Sequence, residues 1–343
     1  MNERTYYSLA KIAAELGVSK TAVSFVVNGT ARGKGISAEL EKRISVFCRK
    51  VGYRPNIHAQ RMNSRLVQNI GIVVEKSAAK DEVSPFGEYN ISKIIGGIAE
   101  AADAAGYRFS FQFYTEGMKE ENIFGWFKNR EIDGLIYYGF EMPGDWIRIF
   151  RKEKFSVVGI AIDPAIGIPC VNVNHYNASF KLTEHLINKG LRKFIYLAGG
   201  AGSYPGNERF RGFRDALQKE NIRFQKENFL RATFCREVAE NLIRDRLTQG
   251  KLGADAIVCA NDNMAIGAIN ALNKACISIP KEVAVTGADN INLGQFITPS
   301  LTTFDWLPFE QGKEAFALLR DIVKGHTPEN VVLKTTLLLR NSG

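Results

Sequence analysis

The chain of 343 residues has length for two or three domains at roughly 150 residues each, and for a sizeable core. With 45% apolar and 24% charged residues it falls outside the disordered and fibrous classes. No run approaches the ~20 apolar residues of a membrane helix, and the start Met1-Asn2-Glu3-Arg4-Thr5-Tyr6 lacks the apolar stretch of a secretory signal.

The formal net charge of +9 is uneven: residues 1–68 carry twelve Lys or Arg against four acids, whereas the remaining 275 carry 33 bases and 32 acids. A basic head on a neutral body is the footprint of a polyanion binder, although charge alone also fits a solvated basic face. Five scattered cysteines, Cys48, Cys170, Cys235, Cys259 and Cys276, form neither a disulfide framework nor a metal spacing, which points to a reducing cytoplasm.

In chain order, Leu9, Ile12, Ala13 and Leu16 recur at helical spacing, and Gly17 ends that helix. Ser19 offers an N-cap for a second helix from about Lys20 to Val27. Its Val23, Val26 and Val27 face inward, and Lys20, Thr21, Ser24 and Phe25 share the other face. After the loop Arg32-Gly33-Lys34-Gly35, Ser37 caps a third helix carrying Leu40, Ile44, Phe47 and Val51. Together these make a helix-turn-helix unit over residues 1–53. Arg54-Pro55-Asn56 breaks the pattern, and the short polar segment 56–64 is too sparsely apolar for a stable isolated helix.

From Ile70 short β-branched runs alternate with helical stretches, the signature of parallel sheets built from βαβ units. Strands are predicted at Ile70–Val74, Tyr107–Phe113, Ile132–Tyr137, Ser156–Ile160, Lys193–Ala198, Asp255–Ala260 and Val283–Thr286, with a strand-like run Val331–Leu339. Helices are predicted near 90–105, 119–129, 176–189, 207–219, 236–248, 262–274 and 309–323.

The stretch LAKIAAELGVSKTAVSFVVN from Leu9 to Asn28, then Gly52-Tyr53-Arg54-Pro55-Asn56 and Ala59-Gln60-Arg61-Met62, closely resembles the lactose-repressor/galactose-repressor family of transcription regulators. In the body, Ile132-Asp133-Gly134, Glu208-Arg209-Phe210-Arg211-Gly212-Phe213, Cys259 to Gly267, Thr286 to Asn290 and Leu301-Thr302-Thr303 match in the same order. The resemblance implies an α/β protein with a three-helix helix-turn-helix head, a hinge over 54–68, and a two-lobed body, 69–343, like that of periplasmic sugar-binding proteins. Lobe one would be about 69–162 plus 304–326, and lobe two about 163–303 plus 327–343.

On that reading Lys20, Thr21 and Ser24 face base edges in the major groove, with Ser19 and Asn28 toward the backbone. The family commonly has Arg where this chain has Phe25, which is left either to touch a thymine methyl or to lie in the core. Arg32 and Lys34 are read as phosphate contacts or a solvated loop; the loop lacks the order of a nucleotide-binding loop. Tyr53, Asn56, His58, Ala59, Arg61 and Met62 complete the expected DNA-binding set, Met62 as the minor-groove wedge and His58 alternatively as a solvated linker histidine.

For the body the resemblance implies a ligand cleft at the carboxyl ends of the strands, with Asn90, Asp163, Arg209, Phe234, Asn261 and Asp289 as ligand residues. Asp289 reads alternatively as a strand-end turn and Arg209, at a helix start, as a surface ion-pair partner. Asn90-Ile91-Ser92 is expected in a loop, and His175 and His185 as ordinary histidines rather than metal ligands. Where the family often has Asp-Asn, Asn174-His175 stands.

No metalloprotease, nucleophile-elbow or phosphate-loop motif is present, so no catalytic residue, metal or cofactor is expected. The expected partners are a pseudo-palindromic double-stranded operator, a small-molecule effector, a second copy of the chain, and no membrane. A dimer follows from the need to read two half-sites, and the chain stops soon after Leu339 without a further tetramerisation helix. The effector reads as a sugar, with a purine-like or phosphorylated molecule as the alternative. A sugar-binding protein without a DNA role would explain only the body, and a sugar-processing enzyme would need a catalytic constellation.

Overall fold

The computed structural model describes residues 7–53, 66–76, 89–115, 117–119, 121–139, 141–250 and 252–343. The chain forms two compact units, Met1–Val67 and Gln68–Gly343.

In the first unit, helices α1 (Leu9–Leu16), α2 (Lys20–Val27) and α3 (Ala38–Lys50) each begin at a serine. The hydroxyls of Ser8, Ser19 and Ser37 accept from the amides of Lys11, Ala22 and Leu40 at 3.2, 3.1 and 3.2 Å. Each cap contributes about 1 kcal/mol. The sequence signalled the caps at Ser19 and Ser37 and the stop at Gly17, which adopts φ 64°, a left-handed conformation that glycine adopts without penalty. Ile12, Val23 and Ile44, one from each helix, are fully buried at the centre of this small core.

The second unit holds two parallel sheets. One contains β1 (Asn69–Glu75), β2 (Arg108–Tyr114), β3 (Gly134–Tyr138), β4 (Val157–Ile160), β5 (Cys170–Val173) and β11 (Val331–Leu333), in the order β11-β5-β4-β3-β1-β2. The other contains β6 (Phe194–Ala198), β7 (Phe229–Arg231), β8 (Ala256–Cys259) and β9 (Ala284–Thr286), in the order β7-β6-β8-β9. β10 (Thr303–Asp305) and β12 (Thr336–Leu338) form a separate antiparallel ribbon.

Both sheets are covered on both faces, as parallel sheets require. On the six-stranded sheet, α4 (Tyr89–Ala104) and α11 (Pro308–Val323) share a core with Ile70, Ile72 and Val74, while α5 (Glu121–Lys128) and α6 (Gly144–Glu153) pack Phe124, Trp146 and Phe150 with Val73. The four-stranded sheet shares its core with α7 (His175–Asn188), α8 (Tyr204–Lys219), α9 (Arg236–Thr248) and α10 (Asp262–Lys274). Three helix pairs meet at a glycine. A Cβ on Gly212, Gly267 or Gly312 would lie 2.2 Å from the carbonyl oxygen of Tyr176, Arg236 or Ile94 on the facing helix.

The lobe boundaries read from the sequence need correction. β5 and β11, assigned to lobe two, pair side by side in the six-stranded sheet. The run Val331–Leu339 is two strands in different sheets, since the chain crosses between them at Lys334-Thr335. Asn90, Ile91 and Ser92 lie in the first turn of α4, not in a loop. α6 was missed because Pro143-Gly144 at its start reads as a turn. Among the described residues no helix is long and apolar enough to cross a membrane.

Candidate nucleic-acid interface and candidate effector site

Lys20 and Thr21 are exposed on α2, and Ser24 and Phe25 half-buried, while Val23 and Val26 of the same helix are buried. Phe25 stands outside the apolar cluster built around Ile12, Val23 and Ile44, and the Lys34 ammonium lies 5.7 Å from its ring centroid. Phe25 therefore belongs with Lys20 and Thr21 rather than with the core, and Lys34 extends that face from the following loop. The Ser24 hydroxyl accepts from the Asn28 side chain at 3.2 Å. Ser19 is the N-cap of α2, Arg32 and Lys34 are exposed, and Tyr53 packs on the small core. Asn56, His58, Ala59, Arg61 and Met62 lie outside the described residues.

In the second unit Arg209 is buried at the centre of a polar network. It lies well inside α8, which Ser203 caps by accepting from the Gly206 amide at 3.2 Å, so it neither opens the helix nor lies on the surface. Its guanidinium donates to Asp289 Oδ1 at 3.2 Å, to His175 Nδ1 at 3.3 Å and to the Ala260 carbonyl. The rings of Phe304 and Trp306 lie 5.4 and 5.7 Å from it, close enough for cation–π attraction. Asn90 joins this network: its Oδ1 accepts from Trp306 Nε1 at 2.8 Å and its side chain hydrogen-bonds Asp289.

Burial pushes the Asp289 carboxyl up from its ordinary range, against the pull of Arg209 and Asn90. Asp262, fully buried, is pushed up by burial and by Asp289, while the Thr303 hydroxyl at 2.6 Å and the Ile291 amide at 2.9 Å hold its oxygens. Burial and Arg209 together hold His175 far below the ordinary imidazole value, so its ring is neutral.

The structure thus brings Asn90, Arg209 and Asp289 into one cluster. Asn261 and Phe234 form a second pair, the Asn261 amide donating to the Phe234 carbonyl at 3.3 Å while its Oδ1 caps α10 by accepting from Met264 N. The Phe234 ring fills the space over Gly199, where a Cβ would come within 2.0 Å of it. Asp163 joins neither group: it is exposed, and its carboxylate caps the turn Pro164–Ile166 by accepting from Ala165 N at 2.8 Å.

Sequence reasoning missed Trp306, Phe304 and Asp262 and passed over His175 as ordinary. For Asp262 a signal existed, because it follows Asn261 in a motif already singled out. Among the described residues no group of three or more His, Cys, Asp or Glu could hold a metal ion.

Residues 183–343 match the family model of the periplasmic binding protein-like domain. The HTH-type transcriptional regulator CelR of Thermobifida fusca is 25% identical over 350 residues, covering 100% of both chains. The HTH-type transcriptional repressor PurR of Actinobacillus pleuropneumoniae serotype 3 is 26% identical over 347 residues, covering 98% of both. Among solved structures, the lac repressor dimer bound to operator and the anti-inducer ONPF superposes with a TM-score of 0.86 at 20% identity, over 98% of this chain and 99% of that one. With a helix-turn-helix head and a body of two parallel sheets in one chain, the chain is similar along its full length to HTH-type transcriptional regulators and shares the fold of the lac repressor.

Proposed function

We propose that the chain is a ligand-responsive transcription repressor that binds a pseudo-palindromic operator as a dimer and is controlled by a small molecule, a sugar, held in the body. The observation that carries the DNA role is the face of α2: Lys20, Thr21 and the side of Phe25 stand outside the core of the most basic part of the chain. Lys20 donates to a base edge, Thr21 and Ser24 contact bases or phosphates, and Phe25 supplies an apolar contact to a thymine methyl. Ser19, Asn28, Arg32, Lys34 and Tyr53 act on the backbone, and the segment with Asn56, His58, Ala59, Arg61 and Met62 acts as the minor-groove hinge.

In the body, Asn90, Asp163, Arg209, Phe234, Asn261 and Asp289 serve the ligand site. Related solved proteins include a CelR–cellobiose complex, which supports a sugar. Ligand binding changes the affinity for the operator, a coupling of about 1–3 kcal/mol. A protein whose partner is chromosomal DNA works in the cytoplasm.

Gel retardation of promoter DNA from the gene's own neighbourhood, measured across a salt series, tests the reading. Affinity falling steeply with salt is expected; absent or salt-insensitive binding rejects it.

A further inference from the structure

At the edge of the four-stranded sheet, three phenylalanines surround an open pocket of ≈ 360 Å³, within the roughly 300–1,000 Å³ of small-molecule sites. Phe210 comes from α8, Phe224 from the loop that follows it, and Phe229 from the edge strand β7; Lys226, between the last two, completes the wall. All three phenylalanines are half-buried and Lys226 is exposed, so every wall residue presents surface to solvent. None of the six ligand residues read from the sequence lines this pocket.

Two features give it its chemistry. The first is the arrangement of the rings, which meet edge to face. Phe210 and Phe229 have centroids 4.7 Å apart at 69°, and Phe210 and Phe224 6.2 Å apart at 62°. Such a set offers both the negative face and the positive edge of the aromatic quadrupole, so one more ring continues the pattern and gains beyond its area burial. The second feature is Lys226. Among the described residues no ion pair engages its ammonium. It is the one charged residue of the described wall, although Arg223 and Glu227 lie within three residues of it in the chain. Three aromatic rings alone would suit an organic cation; an unpaired ammonium among them repels a cation and attracts a carboxylate.

We infer that this pocket binds a small aromatic monocarboxylate, its ring set among Phe210, Phe224 and Phe229 and its carboxylate on the Lys226 ammonium. The inference uses no residue of the DNA or effector readings, and so stands or falls apart from them.

The test uses the full chain with 3-phenylpropionate as the probe. Its comparison compounds are 3-phenylpropan-1-ol, which lacks the charge, hexanoate, which lacks the ring, and 3-phenylpropylammonium, which reverses the charge. Titration calorimetry reads affinity, and spectra of the chain labelled with ¹³C-phenylalanine, assigned by single Phe→Leu variants, read location. The acid is expected to bind saturably, to move the resonances of the three wall rings, and to bind more tightly than each comparison compound. Lys226→Met is expected to weaken the acid about two- to fivefold, the range of an exposed ion pair, and to leave the alcohol unchanged. Lys281→Met, at another exposed lysine, should alter neither. Phe224→Ala should weaken acid and alcohol alike, by about three- to tenfold. The inference is overturned if the acid leaves the wall resonances unmoved, or moves those of Phe234 and Phe304 in their place. It is equally overturned if any comparison compound binds as tightly as the acid, or if Lys226→Met leaves the acid's affinity unchanged.

Discussion

Gly212→Ala probes the close approach of α8 to α7, on which the position of Arg209 depends. The new Cβ would lie 2.2 Å from the Tyr176 carbonyl oxygen and 3.0 Å from the Phe180 amide nitrogen, both backbone atoms that cannot rotate away. Ordinary contact starts at 3.4 Å, so the two helices must part locally by about 1.2 Å. Forcing a methyl into such a contact costs about 1–3 kcal/mol, and the better helix propensity of alanine offsets about 1 kcal/mol of it. The net expectation is a loss of roughly 1 kcal/mol. Arg209 sits three residues earlier on α8, and its partner His175 begins α7. The same parting stretches their 3.3 Å contact beyond hydrogen-bond range, so ligand affinity drops with stability. Gly125 is the internal control: it too is helical, but a Cβ there meets nothing within 4 Å. Gly125→Ala is therefore expected to gain about 0.5–1 kcal/mol. Urea unfolding followed by circular dichroism reads both variants. Should Gly212→Ala prove as stable as the parent chain, or should the two variants shift together, the backbone-contact argument is wrong.

Arg209→Met should lose about 3–5 kcal/mol by leaving Asp289 buried and unpaired, and adding Asp289→Asn should restore part of that; costs that simply add in a double-mutant cycle would refute the pairing. Lys34→Ala should lower the salt slope of operator binding by about 0.9. Phe25→Ala should leave the slope alone and relax sequence preference, read by selection from a randomised operator; an unchanged preference counts against base contact by Phe25. Because burial raises the Asp262 carboxyl above its ordinary value, the folded state holds its proton more tightly than the unfolded chain does. Its contribution to stability then falls as pH rises from the ordinary carboxylate range, about 4, through its raised value in the fold. Asp262→Asn should flatten that dependence relative to the parent in urea titrations at several pH values, and parallel curves would exclude the mechanism.

Much of the head was legible because its signals are local. A serine hydroxyl reaches an amide three residues on, and Gly17 stops a helix by its own backbone geometry. The alternation of strands and helices was also visible, since fully buried parallel strands are continuous apolar runs. β5, β7 and β10, of four, three and three residues, are too short for any pattern to declare them; their neighbours in the sheet define them. The buried polar cluster was half legible. Arg209 and Asp289 stood in motifs, but their pairing spans 80 residues and that of Asn90 with Trp306 spans 216. Separations of that size are set by topology, which no window of sequence contains. Asp163 stood out by residue type, and the turn that its Oδ1 caps holds it in place.

The β10–β12 ribbon has a mechanical consequence. β10 runs from the edge of the four-stranded sheet, where Thr286 and Thr302 bridge, toward α11; β12 follows β11 of the six-stranded sheet and leads to Ser342, whose hydroxyl bonds to Val285. Two of the chain's passages between lobes are thus laced together by a register of Thr303 to Leu338, Phe304 to Leu337 and Asp305 to Thr336. Two side-by-side straps oppose torsion about their own length but flex together, like a door on two pins. The ribbon therefore couples the two sheets more stiffly against twist than against bending, and the Arg209 guanidinium lies 5.4 Å from the ring of Phe304 within it.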